Sequence, residues 1–392
     1  MRVAHRDFHS CSICSRGFRN ARGSWRAHTA RTSDGLRRME MTHDQGRPVH
    51  GGLNITELGT LGLRPDDVLD FSASINPLGP SPLAVRAARE VPLSSYPDTE
   101  CVGLREAIGN RLGVDPSQML VGNGSTELIH LLARSFLSEQ SVAVIFAPTF
   151  GEYEAACRLQ GVTPIALSPS DGFHWDVQAA IEQMAIVRPT MVFLCNPNNP
   201  TGVYLGEQEV ARIADALRGI GLLVLDEAYV AFVEDRWNSL PMPNVVLLRS
   251  MTKDYALTGL RLGYMLASMD VIERVRRFQY SWSVNAPAQA AGIAALSDPG
   301  HVEKGREEVR SGRDYLQDAA RSLCIEYVPT TVNFLMMRVG DATGLRLKLL
   351  TEYRICVRDC ASFGLPEYIR VGIRRMDDSR KLVEALKQVL QS

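Results

Sequence analysis

The chain has no excess of charge of either sign: its formal net charge is −1 over 392 residues. The basic surplus expected of a nucleic-acid or anionic-membrane binder is therefore missing. Long apolar runs are missing too, since the longest, at 142–148 and 222–225, fall far short of the ~18 residues needed to cross a bilayer. Eight cysteines, at 11, 14, 101, 157, 195, 324, 356 and 360, are scattered with no secretory h-region. That usage predicts reduced thiols and a cytoplasmic protein rather than a disulfide framework. Internal repeats and low-complexity tracts are absent as well. What remains is an ordinary globular composition, 45% hydrophobic and 22% charged, long enough for two domains. Small-molecule partners are expected, without nucleic acid or membrane.

Residues 1–40 differ from the rest, with arginines at 2, 6, 16, 19, 22, 26, 31, 37 and 38 and few acids. They read as a basic leader, either disordered or the product of a start assigned too early, with Met39 or Met41 as the real beginning; an Arg-rich transit peptide is a third reading. Cys11 and Cys14, followed by His28, resemble half of a zinc finger. The next histidine, His43, lies too far on to complete it, so no metal site is expected.

From His50 onward short β-rich runs alternate with helical stretches. The runs lie at 142–148, 191–195, 222–226, 244–249 and 263–267, and helices are predicted over 127–136, 207–218, 289–296, 302–322 and 377–391. Continuous apolar strands between helices predict an α/β fold with a mostly parallel sheet covered on both faces. In such sheets ligands bind beyond the carboxyl ends of the strands. Those ends carry the unusual polar residues, which predicts that they converge on one site. The expected division is a leader (1–40), an N-terminal arm packing with the small domain (41–90), a large domain (91–285) and a smaller α+β C-terminal domain (286–392).

Three motifs occupy those strand ends. In VGNGSTELIHLL, the turn at Gly122, Gly124, Ser125 and Thr126 runs into a helix whose first N–H groups suit an anion. Ser125 or Thr126 followed by Glu127 reads equally as a helix cap. The third glycine of a dinucleotide fingerprint and the Gly-Lys-Ser/Thr ending of a triphosphate loop are both missing, which weakens NAD and ATP readings. CNPNNPTG (195–202) is more specific: prolines and glycine fix a loop that aims asparagines inward. LDEAYVAF places Asp226 at the end of a buried strand, where a carboxylate needs a cationic partner, and Tyr229 three positions on.

With SMTKDYALTGLRLGY (250–264), these motifs carry a resemblance. From about His50 to the C-terminus the chain resembles the fold-type-I pyridoxal-phosphate enzymes of the class I/II aminotransferase superfamily. The resemblance implies that Lys253 bonds to the cofactor aldehyde and later carries a proton, and that Asp226 pairs with the pyridine nitrogen. It implies that Asn199 and Tyr229 hydrogen-bond the ring oxygen and that Phe150 stacks on the ring. Gly124, Ser125, Thr126, Ser250 and Arg261 would hold the cofactor phosphate, joined by Tyr96 from a neighbouring subunit, which implies a homodimer with shared sites. Arg370 would clamp a substrate carboxylate.

The subfamilies most similar to this sequence handle phosphorylated amino compounds. HGG (50–52), LDFSASINPLGP (69–80) and WSVNAPAQAAG (282–292) resemble threonine-phosphate decarboxylase. The expected activity is thus decarboxylation of O-phospho-L-threonine to aminopropanol phosphate, for cobalamin. There His50 would bind the substrate phosphate, helped by glycines that suit close approach to a ligand. Ser74 stands where that family has an asparagine, and Arg358 matches a second substrate-binding arginine. Tyr229, and the lack of a proline before Gly259, instead match histidinol-phosphate aminotransferase, the alternative reading. A ligand-sensing DNA-binding regulator is the rival outside catalysis; the short leader and the full catalytic set weigh against it.

Overall fold

A computed structural model describes residues 37–38, 47–169, 171–239 and 242–391. The Cys11/Cys14/His28 motif and the candidate starts Met39 and Met41 lie outside the described residues, as does nearly all of the basic leader.

The eight-stranded sheet has spatial order 37–38, 165–167, 143–146, 191–195, 222–226, 245–250, 262–266, 119–123. The contacts from Ile165–Leu167 through Val245–Ser250 are parallel. Leu262–Leu266 and Met119–Asn123 then join antiparallel. Alternate side chains of one strand enter two different apolar clusters: Val192 and Leu194 face one, and Met191 and Phe193 the other. Burial on both faces is why these strands are continuously apolar.

A second, antiparallel sheet is formed by Glu326–Val328, Phe334–Arg338, Tyr368–Gly372 and Arg358–Asp359. Its own cluster gathers Phe334, Ile369 and Val371 with Val309 and Leu316 of the helix Pro299–Ser322 and Leu382 and Leu386 of the helix Met376–Gln391. The N-terminal segment is tied to this unit: Leu69–Asp70 pairs in parallel with Ile355–Cys356, and Phe71 is fully buried in the same cluster. The helix Ala286–Leu296 behaves differently from the expected boundary at 285/286. Its Ala288, Ala291 and Ala295 pack in the large-sheet core, beside Leu104 and Leu262. Small residues allow that close approach, which Gly292 extends: a Cβ there would lie 2.6 Å from Leu262 Cδ2.

One glycine joins the sheet to what lies at its end. A Cβ on Gly263 would stand 2.6 Å from Ser125 N, 2.9 Å from Gly124 C and 3.0 Å from Arg249 O, all backbone atoms. Gly263→Ala is therefore expected to force strand and helix start apart, destabilising the fold by about 2 kcal/mol and weakening any ligand held at Ser125. The urea unfolding midpoint and the retention of that ligand on gel filtration measure both effects.

Candidate active site

The carboxyl ends of the parallel strands open into a cavity of about 640 Å³, a size that suits a cofactor and a small substrate together. Four stretches singled out in the sequence meet there, contributing Ser125 and Thr126, Asn199, Asp226 and Tyr229, and Ser250 and Lys253. Phe150, Arg261, His50, Ser74, Arg358 and Arg370 line it as well.

The anion cradle comes first. The helix Gly124–Phe136 begins directly after the strand Met119–Asn123, with no side-chain cap on its first turn. The capping reading of Ser125 or Thr126 thus gives way: Glu127 turns back to accept from Asn123 N at 2.6 Å, leaving both hydroxyl side chains at the cavity. Gly124 has φ +75°, and a Cβ on it would sit 2.7 Å from Arg261 Nη2. Only glycine allows the guanidinium to lie across the helix start, where the backbone dipole already favours negative charge. Ser250 and Thr252 share a hydroxyl contact of 2.7 Å beside it.

The acid and the amine come next. Asp226 ends its strand 3% exposed and is held by hydrogen-bond donors of the chain. Tyr153 OH donates to Oδ2 at 2.8 Å and Ala228 N to Oδ1 at 2.9 Å. Burial pushes its carboxyl up to about 6 against the pull of those donors. Lys253 is moved the opposite way, down to about 8, by burial and then by the Arg370 and Arg261 charges. Between about pH 6 and pH 8 the site therefore holds an anionic carboxylate and a protonated amine; above pH 8 the amine is free to attack a carbonyl. Lys253 Nζ lies 5.8 Å from the centre of the Tyr229 ring.

The CNPNNPTG loop divides its asparagines more sharply than expected. Asn196 is consumed by its own loop, donating to Leu205 O at 3.1 Å and accepting from Leu205 N at 2.7 Å. Asn198 accepts from Thr149 Oγ1 at 2.7 Å and donates to Pro148 O at 2.9 Å. Asn199 alone of the three lines the cavity, accepting from Arg370.

Two buried guanidinium groups form the far wall. Arg370, 4% exposed, also donates to Ser72 O at 2.9 Å, and its Nε has no partner. Arg358, 6% exposed, bonds Ser362 and Val49 O, the latter at 3.0 Å. Burial and then the nearby Arg370 charge lower it to about 10. Among the described residues neither forms an ion pair with an acid. The buried Ser74 Oγ likewise has no partner.

The HGG segment reaches the same wall. His50 lines the cavity, but the glycines serve a different approach from the one expected. A Cβ on Gly51 would stand 2.3 Å from Ser72 O, and Gly52 N donates to Ser72 Oγ at 2.8 Å. Gly51 thus admits the chain's own backbone, while Gly52 takes φ +107° with open space beside it, and both glycines line the cavity. Tyr96 lies outside the cavity of its own chain, 80% exposed and stacked on Trp282 at 4.6 Å. Sequence reasoning missed Tyr153 and Glu152, both of which line the cavity. Tyr153 reads as a core aromatic, and its tie to Asp226 spans 73 residues, so no local spacing reveals it.

An amine held near neutrality beside an anion cradle, with a buried acid behind it, defines a class of α/β enzyme that binds a phosphorylated carbonyl cofactor. The chain belongs to the aminotransferase class I and II family, whose model matches residues 66–386. It is 36% identical to a histidinol-phosphate aminotransferase of Moorella thermoacetica, over 83% of this chain and 86% of that one. It is 37% identical to a threonine-phosphate decarboxylase of Salmonella typhimurium, over 87% and 96%. Its fold matches that of the Sinorhizobium meliloti histidinol-phosphate aminotransferase in complex with pyridoxal-5'-phosphate, with a TM-score of 0.80 and 23% identity over 87% of this chain and 95% of that one. The residues present fit pyridoxal phosphate. Gly124, Ser125, Thr126, Ser250 and Arg261 offer its phosphate the cradle that a Cβ would block, Asp226 offers a carboxylate and Lys253 an amine.

The split among the asparagines is measurable. Asn196→Ala strips two backbone groups of Leu205 of their buried partners and is expected to cost about 3 kcal/mol in urea unfolding. Asn199→Ala, at the cavity wall, is expected to cost less than half of that.

Proposed function

We propose that this chain is a pyridoxal-phosphate enzyme that decarboxylates O-phospho-L-threonine to aminopropanol phosphate, a step that serves cobalamin. The observation that carries the reading is the pair of buried arginines, Arg358 and Arg370, neither of which forms an ion pair with an acid among the described residues. A buried cation left without an anion is costly, so the wall is built for a ligand with two negative groups. O-phospho-L-threonine has a carboxylate and a phosphate. Arg370, with its idle Nε and its bond to Asn199, suits the carboxylate. Arg358, His50 and the unpartnered Ser74 Oγ suit the phosphate. The stretches that resemble the decarboxylase, HGG and LDFSASINPLGP, meet at this wall through the Gly52–Ser72 bond.

Pyridoxal phosphate, when bound, supplies an aldehyde for the substrate amine and a ring that withdraws electrons from the α-carbon. The chain does the rest. Asp226, kept anionic above about pH 6, stabilises positive charge behind the ring site. Tyr153 fixes that carboxylate through Oδ2. Lys253 Nζ would hold the cofactor aldehyde and, with a pKa of about 8, would carry a proton to the substrate α-carbon. Phe150 and Tyr229 wall the cavity with aromatic surface and limit water.

A second reading, a histidinol-phosphate aminotransferase, is favoured by the Moorella relative and by Tyr229. A homodimer with shared sites is part of the proposal, supported by the exposed Tyr96 and Leu93. A reduced, cytoplasmic setting is also part of it, supported by the buried thiols of Cys101, Cys157, Cys195, Cys356 and Cys360. No described helix is long and apolar enough to cross a membrane.

Two experiments test this. Carbon dioxide released from O-phospho-L-threonine is the expected result; glutamate formed from histidinol phosphate and 2-oxoglutarate, with no carbon dioxide, selects the second reading. Borohydride reduction followed by denaturation is expected to leave pyridoxal phosphate on the wild-type chain and none on Lys253→Ala. In wild-type apoprotein the rate of that attachment is expected to rise through about pH 8 and then level off, because only the unprotonated amine reacts.

A further inference from the structure

His50, Glu152 and His130 form a chain of contacts that the cofactor chemistry does not use. Glu152 opens the helix Glu152–Arg158 and is only 6% exposed. Its two oxygens are divided between two imidazoles: Oε1 meets His50 Nε2 at 2.7 Å and Oε2 meets His130 Nε2 at 2.8 Å. Burial works to raise this carboxyl, yet the histidine hydrogen bonds and charges outweigh it and hold it at about 2. The group is thus anionic at any working pH.

The three residues come from separate places. His130 sits on the helix Gly124–Phe136, whose first turn bears Ser125 and Thr126. His50 belongs to the N-terminal segment, which lies over the start of the Glu152 helix. A Cβ on Gly151 would be 3.3 Å from Pro48 Cβ, the Phe150 and His50 rings stand 5.5 Å apart, and Val49 O accepts from Arg358. Among the described residues His50 Nδ1 has no hydrogen-bond partner. With Nε2–H given to Glu152, Nδ1 donates to an anion only when the ring is protonated; a neutral ring would present a lone pair. A fixed carboxylate on Nε2 holds the ring in one orientation and stops it from turning.

We propose that Glu152, braced by His130, is a positioning residue that fixes the His50 ring for the phosphate of the substrate, so that the enzyme prefers phosphorylated substrates. The inference rests on the proposed function above, in that it needs a phosphate-bearing substrate, but it holds for either reaction.

The test compares kcat/KM for the phosphorylated substrate that the wild-type holoenzyme turns over with kcat/KM for its dephosphorylated counterpart. The pairs are O-phospho-L-threonine against L-threonine and histidinol phosphate against histidinol. Glu152→Gln keeps the shape and an acceptor oxygen but removes the charge. It is expected to lower that ratio about tenfold, through KM of the phosphorylated substrate rather than kcat, the size of one charge-assisted contact. His130→Gln, a milder change that serves if the first variant does not fold, is expected to lower it about threefold. A ratio within about twofold of wild type in a variant with wild-type cofactor absorbance overturns the inference alone. A wild-type enzyme with no preference for the phosphorylated partner overturns it together with the reading of the phosphate wall.

Discussion

The cost of burying charge at the ends of parallel strands is the constraint around which this molecule is arranged. Asp226 ends a strand whose other side chains are all apolar, and its carboxylate is kept there by a tyrosine hydroxyl and a backbone N–H rather than by a cation. Burial, and then the nearby Arg370 and Arg261 charges, bring the Lys253 amine down toward neutrality. An acid raised and an amine lowered within one cavity are a common signature of catalytic sites. Neither shift would survive a solvated surface, so the covering of both sheet faces is a condition of the chemistry as well as of the fold.

The same constraint explains the rigidity of the surrounding loops. Asn196 and Asn198 satisfy backbone groups at the strand ends, Gly124 and Gly263 let a helix start, a strand and a guanidinium approach closely, and Asn76 secures the lysine segment from outside. Asn76 N donates to Lys253 O at 2.8 Å and its Nδ2 to Asp254 O at 2.9 Å. The N-terminal segment therefore supports the lysine backbone while also supplying His50 and Ser74 to the cavity. An order–disorder change in that segment would act on cofactor and substrate together.

Much of the large sheet was legible because its signals are local. Strands 191–195 and 222–226 are continuous apolar runs whose polar residues begin where the hydrogen-bonded ladder stops, so the position of the site followed from their ends. The residues of VGNGST, Asp226 and Lys253 were legible for the same reason. What stayed hidden depends on contacts between distant segments. Tyr153 and Glu152 look like an ordinary helix start until the fold brings Asp226 and His50 against them. Asn196 and Asn199 have similar neighbours in sequence, and only the path of the loop decides which one faces the cavity. The packing of the helix Ala286–Leu296 in the large-sheet core was not legible either, because an alanine-rich helix has no polar face to show which core it joins.

The division of labour between segments also explains why overall similarity discriminates poorly between reactions. Lys253, Asp226, Asn199 and the anion cradle sit on the large sheet and its loops, where both reactions would use them. His50 and Ser74 come from the N-terminal segment, and Arg358 and Arg370 from the antiparallel sheet. Under the proposed function these few side chains would orient the substrate, yet they are a small part of the chain. A histidinol-phosphate aminotransferase at 36% identity and a threonine-phosphate decarboxylase at 37% are therefore what a shared frame produces. Under that proposal the discrimination would lie in how two buried guanidiniums and one imidazole divide a carboxylate and a phosphate between them.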